Sequence, residues 1–571
     1  MELAEKKVLF RSRPFKTRNA DEYDLSSILN LYVNPINGLT TPFDYENTII
    51  KGRMGSGKTM YLRANQAYYL YGILPSLMDR SEEIVLPVFI RLSDFQHIKD
   101  PSEIYRGIIV KIIEELTSIY VHLQDQRKLT EMHTGVTFLT EEMFSAHKLA
   151  ASMRQLAKLG CDEYIERVTT ELNAKAGGKA SFIELSASWK NSELSEIKKK
   201  PNPGIKDIES CYKNLLEGQE GKILLLIDEA GSLDRKFFQN DEGTGFFEIL
   251  MNQFRTASFI RTKIAVYPNS YSDMLTETRY GSLIRLEESV NDERGYKRFR
   301  ARALSIIENY INPHFHESFC YEAGDIFDLS GDEYGDCLEQ LLYASQGNMR
   351  RLIQLLDLSL NSAYRDAPES LIVTKDHSFE ALREHAEEIE SIFGVTERAF
   401  LESIVGVCRA RGAYKFKFPN MSPILYKYSV KSREYNLINI EELGAGRKGT
   451  VYSFDYAYAI LKDLPTHYAE GSEKFNKERT LRAGKWINRV ALISEELIEQ
   501  AGLPGKIEGK IDYTHKDSGF IVGVDDEKYF FQDTYIVEAD RGVRVNFGRK
   551  VRFYPAQVGD TKIATNIELL A

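Results

Sequence analysis

The clearest chemical signal in this sequence is a glycine-rich run that ends in a lysine and a threonine. It fits the spacing G-x-x-x-x-G-K-[ST], with a strand-like run before it and a helical pattern after it. Glycines let successive backbone N–H groups point at phosphate oxygens, and the start of the following helix adds its positive dipole end. We expect Lys58 to contact the β- and γ-phosphates of a nucleotide and Thr59 to bind Mg²⁺. The predicted phosphate-binding residues are Gly52, Arg53, Met54, Gly55, Ser56, Gly57, Lys58 and Thr59.

A second chemical signal lies where an apolar run ends in two carboxylates. Lys222 to Ile227 has the character of a strand buried in a parallel sheet, and Asp228 and Glu229 follow it. We expect Asp228 to hold the Mg²⁺ through water and Glu229 to orient or deprotonate the attacking water. The presence of Glu229 favours hydrolysis over binding alone. A buried strand that ends in a helix-capping Asp-Glu pair is the alternative interpretation.

Two further polar residues are candidates for sensing the γ-phosphate. Asn269 follows the next apolar strand, Lys263 to Tyr267, although an ordinary turn residue explains it equally well. Arg350 lies at the start of a leucine-periodic helix, where it would reach the γ-phosphate and couple nucleotide state to the helical region. A solvated pair of arginines is the alternative there. The complete predicted catalytic set is Lys58, Asp228, Glu229, Asn269 and Arg350.

The end of the chain carries aromatic residues on short alternating strands. From Gly505 to Leu570, β-rich runs alternate with turn residues, and Tyr513, Phe520 and Phe530 fall on neighbouring runs. Exposed rings on such strands stack with the bases of single-stranded nucleic acid. Upstream, a predicted hairpin carries a basic pair at its tip, where positive charge would contact phosphate. The predicted nucleic-acid residues are Tyr513, Phe520, Phe530, Arg447 and Lys448.

Composition limits the classes of protein to consider. The chain has 571 residues and a net charge of −10, from 74 basic and 84 acidic residues, so a nucleic-acid site must be a local patch. Residues 396–470 count 11 Lys+Arg against 8 Asp+Glu, whereas residues 505–571 count 10 against 11. The five cysteines lie far apart, which excludes a zinc ribbon and a disulfide scaffold. Apolar runs are short and the N-terminus is polar and basic, so we expect a cytoplasmic protein that does not contact membranes.

Strand and helix patterns alternate around the phosphate loop, which predicts an α/β fold with a parallel sheet. The expected organisation is a P-loop core over residues 1–290, with a helical insert at about 97–205, and a helical lid over 291–395. A segment of helix, strand, helix and hairpin follows over 396–470, then a linker with one helix over 471–504, and an all-β barrel over 505–571. The stretch before Asp44 is expected to be a turn-rich lead-in to the first strand.

Three parts of the chain resemble known families. Residues 45–385 resemble an AAA+/STAND-type ATPase of the origin-recognition-like and NACHT-like kind, through the phosphate loop, Asp228-Glu229 and the Gly-x-x-Arg of Arg350. The resemblance implies bound ATP and Mg²⁺ and a lid that senses nucleotide. The helical insert departs from this pattern, and Arg279 and Arg285 are only positional candidates for an arginine finger.

The two C-terminal segments resemble nucleic-acid-binding modules. Residues 396–470 resemble a winged helix, which in such ATPases serves either as a DNA reader or as a structural wedge. Residues 505–571 resemble a cold-shock domain, a five-stranded OB barrel. The loop before Phe520 is shorter than in that family, and Gln532 stands where the family usually has histidine.

Three functions are compatible with these features. The leading hypothesis is an ATP-hydrolysing switch that engages single-stranded RNA or DNA through its C-terminal modules, in antiviral defence or in mobile-element or replication control. The second is a STAND-type signalling or assembly ATPase whose C-terminal modules bind proteins, without nucleic acid. A helicase-like motor is the weakest, because no second core is visible and translocation would need a ring. A homo-oligomer and a separate effector protein are left open as partners.

Overall fold

The computed structural model describes most of the chain outside the central insert and several loops. The described residues are 2–35, 41–78, 84–134, 204–209, 221–230, 233, 246–267, 282–288, 290, 293–312, 321–330, 336–418, 425, 428, 436–442, 450–464, 490–494, 497, 506–515, 518–537, 540, 545–558 and 561–570.

A sheet of five parallel strands forms the first layer, in the order β2-β3-β4-β1-β5. This confirms the predicted α/β fold class. The fifth strand was not predicted, because it is short, lies at the sheet edge and lacks an apolar run. The strands are β1 (Thr48–Lys51), β2 (Ile84–Arg91), β3 (Gly221–Asp228), β4 (Ile260–Val266) and β5 (Ser282–Arg285).

Helices cover this sheet because their apolar stripes face it. On α4 (Pro101–Thr134) the isoleucines and leucine spaced at helical intervals between Ile104 and Ile119 are all buried, as their periodicity predicts. The central strand β3 is apolar on both faces and is buried almost throughout. The helix α1 (Leu3–Ser12) instead buries Leu9 and Phe10 in the core of the helical region that follows the sheet in the chain. The other helices of this part of the chain are α2 (Leu25–Leu31), α3 (Lys58–Met78) and α5 (Phe246–Thr256).

A helical region follows the sheet in the chain. Its α6 (Glu293–Ile311) and α8 (Met349–Asp366) contribute to one large apolar core that also includes Phe15 of the N-terminal segment. Asp336 and Asn348 cap the starts of α7 (Cys337–Ser345) and α8 by accepting backbone N–H hydrogen bonds. The last helix of the region is α9 (Lys375–Glu390).

A second sheet has four strands in the order β7-β8-β6-β9. The predicted hairpin is present, since β7 and β8 pair in antiparallel fashion. Strand β9 comes from the segment predicted as a linker and pairs in parallel with β6. The elements are α10 (Val395–Arg411), β6 (Lys415–Phe418), β7 (Ile438–Glu442), β8 (Thr450–Phe454), α11 (Tyr456–Leu461) and β9 (Val490–Leu492).

The end of the chain is a closed five-stranded β-barrel of OB-like topology, as predicted. Its strand order is β10-β11-β12-β14-β13, with β12 and β14 joined in parallel and the other pairs antiparallel. The inward residues, such as Ile511, Ile521 and Phe531, form a separate core. The strands are β10 (Ile507–His515), β11 (Ser518–Gly523), β12 (Lys528–Gln532), β13 (Lys550–Val558) and β14 (Thr561–Leu569). Of the helices that the structure describes, none combines the length and apolar character that a membrane span requires.

Candidate functional site

The glycine loop joins β1 to α3 at the carboxyl edge of the parallel sheet. Gly55 and Gly57 have φ of 78° and 94°, which is the left-handed region that side chains avoid. A Cβ at Gly55 would collide with the side chain of Asn348, whereas a Cβ at Gly57 would meet nothing within 4 Å. The glycines therefore serve two purposes, which are close approach of the helical region at Gly55 and an open backbone at Gly57.

Lys58 is buried at the start of α3 and folds back over the loop. Its Nζ donates to the carbonyl oxygens of Gly52 at 2.7 Å and Arg53 at 2.8 Å, and lies 4.1 Å from the centroid of the Tyr267 ring. Burial lowers the pKa of Lys58 to about 8, although the nearby Asp228 carboxylate acts in the opposite direction. An anion placed beside Nζ would therefore relieve the cost of burying this charge.

Thr59 and Asp228 meet across the loop, although 169 positions separate them in the chain. The Thr59 Oγ1 hydroxyl donates to Asp228 Oδ2 at 2.6 Å. Burial raises the pKa of Asp228, while hydrogen bonds from the Thr59 hydroxyl and the Glu229 backbone N–H lower it. A hydroxyl beside a buried carboxylate is a suitable pair of ligands for Mg²⁺, which also takes water and phosphate oxygens.

Glu229 directly follows β3 and adopts a left-handed backbone conformation, with φ of 55°. Its backbone N–H donates to Asp228 Oδ1 at 2.8 Å, which orients the Asp228 carboxylate. A residue other than glycine in this conformation costs free energy and is common at functional sites. The two carboxylates therefore stand at the sheet edge in a defined geometry beside the glycine loop.

A cavity of about 190 Å³ lies over the loop. Its polar end is lined by Lys58, Thr59, Asp228 and Glu229, and its walls come from the N-terminal segment and the helical region. The Ser56 Oγ is buried near this end and has no hydrogen-bond partner among the described residues. An unpartnered donor, an open glycine backbone and a buried ammonium fit the phosphates of a nucleotide. Among the described residues no group of three or more His, Cys, Asp or Glu residues is placed to hold a metal.

The N-terminal segment was expected to be a lead-in, but it forms part of this cavity. Arg18, Tyr23 and Tyr32 line it, opposite Ile306 and Met349 of the helical region. The segment is held there by stacking of Phe15 on Tyr310, with ring centroids 5.7 Å apart. Scattered aromatic and arginine residues have no periodicity, which is why the sequence pattern did not indicate this role.

The helical region contacts the glycine loop directly. Asn348 Nδ2 donates to the Met54 carbonyl oxygen at 2.7 Å, and the Arg350 backbone N–H donates to the Gly55 carbonyl oxygen at 3.0 Å. The Arg350 residue lines the cavity, and its charge contributes to the lowered pKa of Lys58. The start of α8 is therefore placed to respond to whatever occupies the loop.

The neighbouring Arg351 faces the second sheet. Its guanidinium forms a buried bidentate ion pair with Asp455, with both N–O distances at 2.7 Å, and its Nε donates to His385 Nε2 at 3.1 Å. Asp455 also caps α11 by accepting the Ala457 and Tyr458 backbone N–H groups. Arg350 and Arg351 thus connect the same helical turn to the glycine loop on one side and to the second sheet on the other.

We expect Arg351→Met to destabilise the protein by about 3–5 kcal/mol, because it leaves the Asp455 carboxylate buried without its partner. The matched variant Arg350→Met should change stability by less than about 1 kcal/mol, since Arg350 is only half-buried. The thermal unfolding midpoints of the two variants measure the difference. Adding Asp455→Asn to Arg351→Met should recover part of the loss, and equal midpoints for the two single variants would contradict a structural role for the pair.

The barrel presents an aromatic row on its outer face. Phe520 lies opposite Tyr513 on one side and opposite Phe530 on the other. Tyr513 is 53% exposed and Phe520 39%, whereas Phe530 is half-buried against Phe520 with ring centroids 5.7 Å apart. The three predicted rings therefore form one continuous strip across β10, β11 and β12.

The remaining predicted residues lie elsewhere on the described structure or outside the described part of the chain. Arg285 lies on β5 and is exposed. Tyr267, directly after β4, contacts Lys58 and was missed, although it ends the predicted strand Lys263 to Tyr267 at that edge of the sheet. Phe547, also missed, is 77% exposed in the turn before β13, where Gly548 donates to the Ile511 carbonyl oxygen. The predicted residues outside the described part of the chain are Asn269, Arg279, Arg447 and Lys448.

Comparison with known proteins gives only distant similarities. No protein-family model matches the chain, and no curated protein matches it. The Aeropyrum pernix ORC1 protein in complex with DNA is 12% identical over 77% of this chain and 91% of that one, with a TM-score of 0.29. The Aeropyrum pernix ORC2 protein (ADPNP–ADP complexes) is 12% identical over 79% and 94%, with a TM-score of 0.30. Drosophila Unr CSD456 is 18% identical over 16% of this chain and only 37% of that one, with a TM-score of 0.13. At these identities and TM-scores, the matches identify no family.

Proposed function

We propose that this chain is an ATP-hydrolysing switch that binds single-stranded nucleic acid through its C-terminal barrel. The observation that carries the ATPase part is the meeting of Thr59 with Asp228 at 2.6 Å, beside Lys58 and below a cavity. This arrangement combines a phosphate cradle, ligands for Mg²⁺ and an adjacent second carboxylate, Glu229. Phosphoryl transfer to water needs these parts, since it depends on positioning and on neutralising the phosphate charge.

Each residue has a defined task in this proposal. The N–H groups of the glycine loop and the Lys58 ammonium bind the β- and γ-phosphates. Thr59 and Asp228 would hold Mg²⁺, which when bound would supply positive charge next to the phosphates. Glu229 accepts the proton of the attacking water. Arg350 contacts the γ-phosphate from the helical region, so that hydrolysis releases one of the contacts that hold α8 against the loop.

Movement of α8 would be passed to the second sheet through the buried pair of Arg351 and Asp455. Because Arg350 and Arg351 are adjacent, a movement of the start of α8 relative to the glycine loop would also move Arg351 and its partner Asp455. The winged-helix-like segment that contains Asp455 is therefore the part of the chain that we expect to respond to nucleotide. We further propose that this segment binds duplex DNA, because basic residues outnumber acidic residues between positions 396 and 470.

One experiment tests both halves of the proposal. The rate of ATP hydrolysis is measured in Mg²⁺ with no nucleic acid, and then with single-stranded DNA, single-stranded RNA or duplex DNA at a stated salt concentration. We expect a basal rate that single-stranded nucleic acid changes more than duplex. Hydrolysis that no nucleic acid alters, together with absence of binding, would instead favour an assembly ATPase whose barrel binds proteins.

Replacing Phe520 by alanine tests the aromatic row. One stacked base is worth about 1–3 kcal/mol, so Phe520→Ala should weaken oligonucleotide binding about tenfold or more. The ring is exposed enough that the barrel should stay folded. The matched control is Val524→Ala, because Val524 is an exposed apolar residue in the turn after β11, away from the row. Fluorescence anisotropy gives the affinities and circular dichroism the fold, and wild-type affinity in Phe520→Ala would rule out stacking there.

A further inference from the structure

Two lysines on the barrel stand directly opposite each other. Lys510 on β10 is the register partner of Lys550 on β13 in the antiparallel pair, and both side chains are exposed. Like charges directly opposite on adjacent strands repel and destabilise the sheet. The folding of the barrel therefore gives no reason for this pair.

The pair differs from the other cations that the structure describes on the barrel. Four of those cations form ion pairs with carboxylates, which neutralises them. The side chains of Lys510 and Lys550 make no hydrogen bond or ion pair within the described part of the chain. The neutralised pairs are Lys506–Glu568, Lys528–Asp512, Arg552–Glu508 and Lys562–Glu527, at 2.5, 2.8, 3.3 and 2.8 Å. Among these described cations of the barrel, the positive charge that no carboxylate neutralises is thus concentrated at Lys510 and Lys550.

Lys510 and Lys550 lie in the row of residues next to the aromatic row of Tyr513, Phe520 and Phe530. Lys510 lies opposite Val522, and Val522 is two residues from Phe520 on β11, so both point to the same face. Two residues along a strand span about 7 Å. A cationic row therefore runs parallel to the row of Tyr513, Phe520 and Phe530.

We propose that Lys510 and Lys550 bind the phosphodiester backbone of a single nucleic-acid strand whose bases stack on the aromatic row. This inference rests on the nucleic-acid binding proposed above. A phosphate between the two ammonium groups adds two attractions that outweigh their mutual repulsion, because it lies closer to each ammonium than they lie to each other. The backbone of the strand then follows the cationic row over β13 and β10, and its bases lie along the aromatic row over β10, β11 and β12.

The test uses the full chain and the double variant Lys510→Gln/Lys550→Gln. Binding of oligothymidine and of oligouridine of about 12 nucleotides is measured by fluorescence anisotropy over a series of salt concentrations. Each phosphate contact to a single strand contributes about 0.7 to the slope of log K against log salt. The slope should therefore become shallower by about 1.4, equally with both polymers because they share the phosphodiester group.

The matched control is Lys506→Gln/Arg552→Gln, which removes the same charge from cations that already have carboxylate partners and do not lie in the row of Lys510 and Lys550, and which should change the slope by less than half as much. At low salt the free Lys510→Gln/Lys550→Gln protein should unfold at the same or a higher temperature than wild type, since repulsion is removed. An unchanged slope, or a change confined to one polymer, would overturn the phosphate site while the proposed binding stands. Failure of wild type to bind either oligonucleotide would overturn both.

Discussion

Lys58→Ala is expected to reduce ATP hydrolysis by about 100-fold or more, and to weaken ATP binding. Lys58 is the buried ammonium at the polar end of the cavity, and among the described residues its Nζ is satisfied by two loop carbonyl oxygens and the Tyr267 ring. Charge-assisted contacts to phosphate are roughly twice as strong as neutral ones, so alanine removes a dominant contact. Steady-state hydrolysis and equilibrium binding of a fluorescent ATP analogue measure the two effects.

The matched control for this variant is Lys51→Ala. Lys51 ends β1, directly before the glycine loop, and carries the same charge without lining the cavity. Its hydrolysis rate should stay within about threefold of wild type. If Lys58→Ala hydrolyses ATP as fast as Lys51→Ala, the hydrolytic site is elsewhere in the chain and the proposed ATPase core is wrong.

Glu229→Gln is expected to bind ATP as wild type does but to hydrolyse it about 100- to 10,000-fold more slowly. The amide keeps the size of the side chain and cannot accept a proton from water. The backbone N–H of residue 229 still donates to Asp228 Oδ1, so the Asp228 carboxylate keeps its orientation. Single-turnover hydrolysis separates the chemical step from product release, and binding is measured in parallel.

Asp228→Asn provides the contrast with Glu229→Gln. Because Asp228 is buried and accepts the Thr59 hydroxyl, its replacement should weaken the dependence of nucleotide binding on Mg²⁺ as well as hydrolysis. The two variants should therefore separate, with Glu229→Gln retaining Mg²⁺-dependent binding and Asp228→Asn losing it. If the two variants behave identically, Glu229 acts on the metal, as Asp228 does, and does not act on the attacking water.

Much of the core could be predicted from local pattern. The glycine loop needs φ values that glycine alone adopts easily, so its glycines are visible in the sequence. Strand β3 is covered on all sides by helices or strands, so it appears in the sequence as an unbroken apolar run. The contact of Thr59 with Asp228 follows from those two elements, since the carboxyl ends of parallel strands meet at one edge. The exposed edge strand β5 has no such signature and was not predicted.

The contacts around the cavity could not be predicted in the same way. The sequence indicated Arg350 as the residue of interest and left Arg351 as part of a surface pair. In the folded chain, one step along α8 turns the side chain by about 100°, which directs Arg350 to the cavity and Arg351 to Asp455, 104 positions later. Nothing local distinguishes two adjacent arginines, because the difference lies in what packs on each side of the helix.

Local sequence pattern was enough to predict the α/β core, the glycine loop with Asp228 and Glu229 beside it, and a barrel whose alternating residues place Tyr513, Phe520 and Phe530 on one face. Those features depend on backbone geometry and burial, which act over a few residues. Two features could be seen only in the folded chain, namely that the N-terminal segment lines the cavity and that Lys510 lies opposite Lys550. Such pairings depend on the register of elements about 40 residues or more apart, and register is set by the packing of the whole domain.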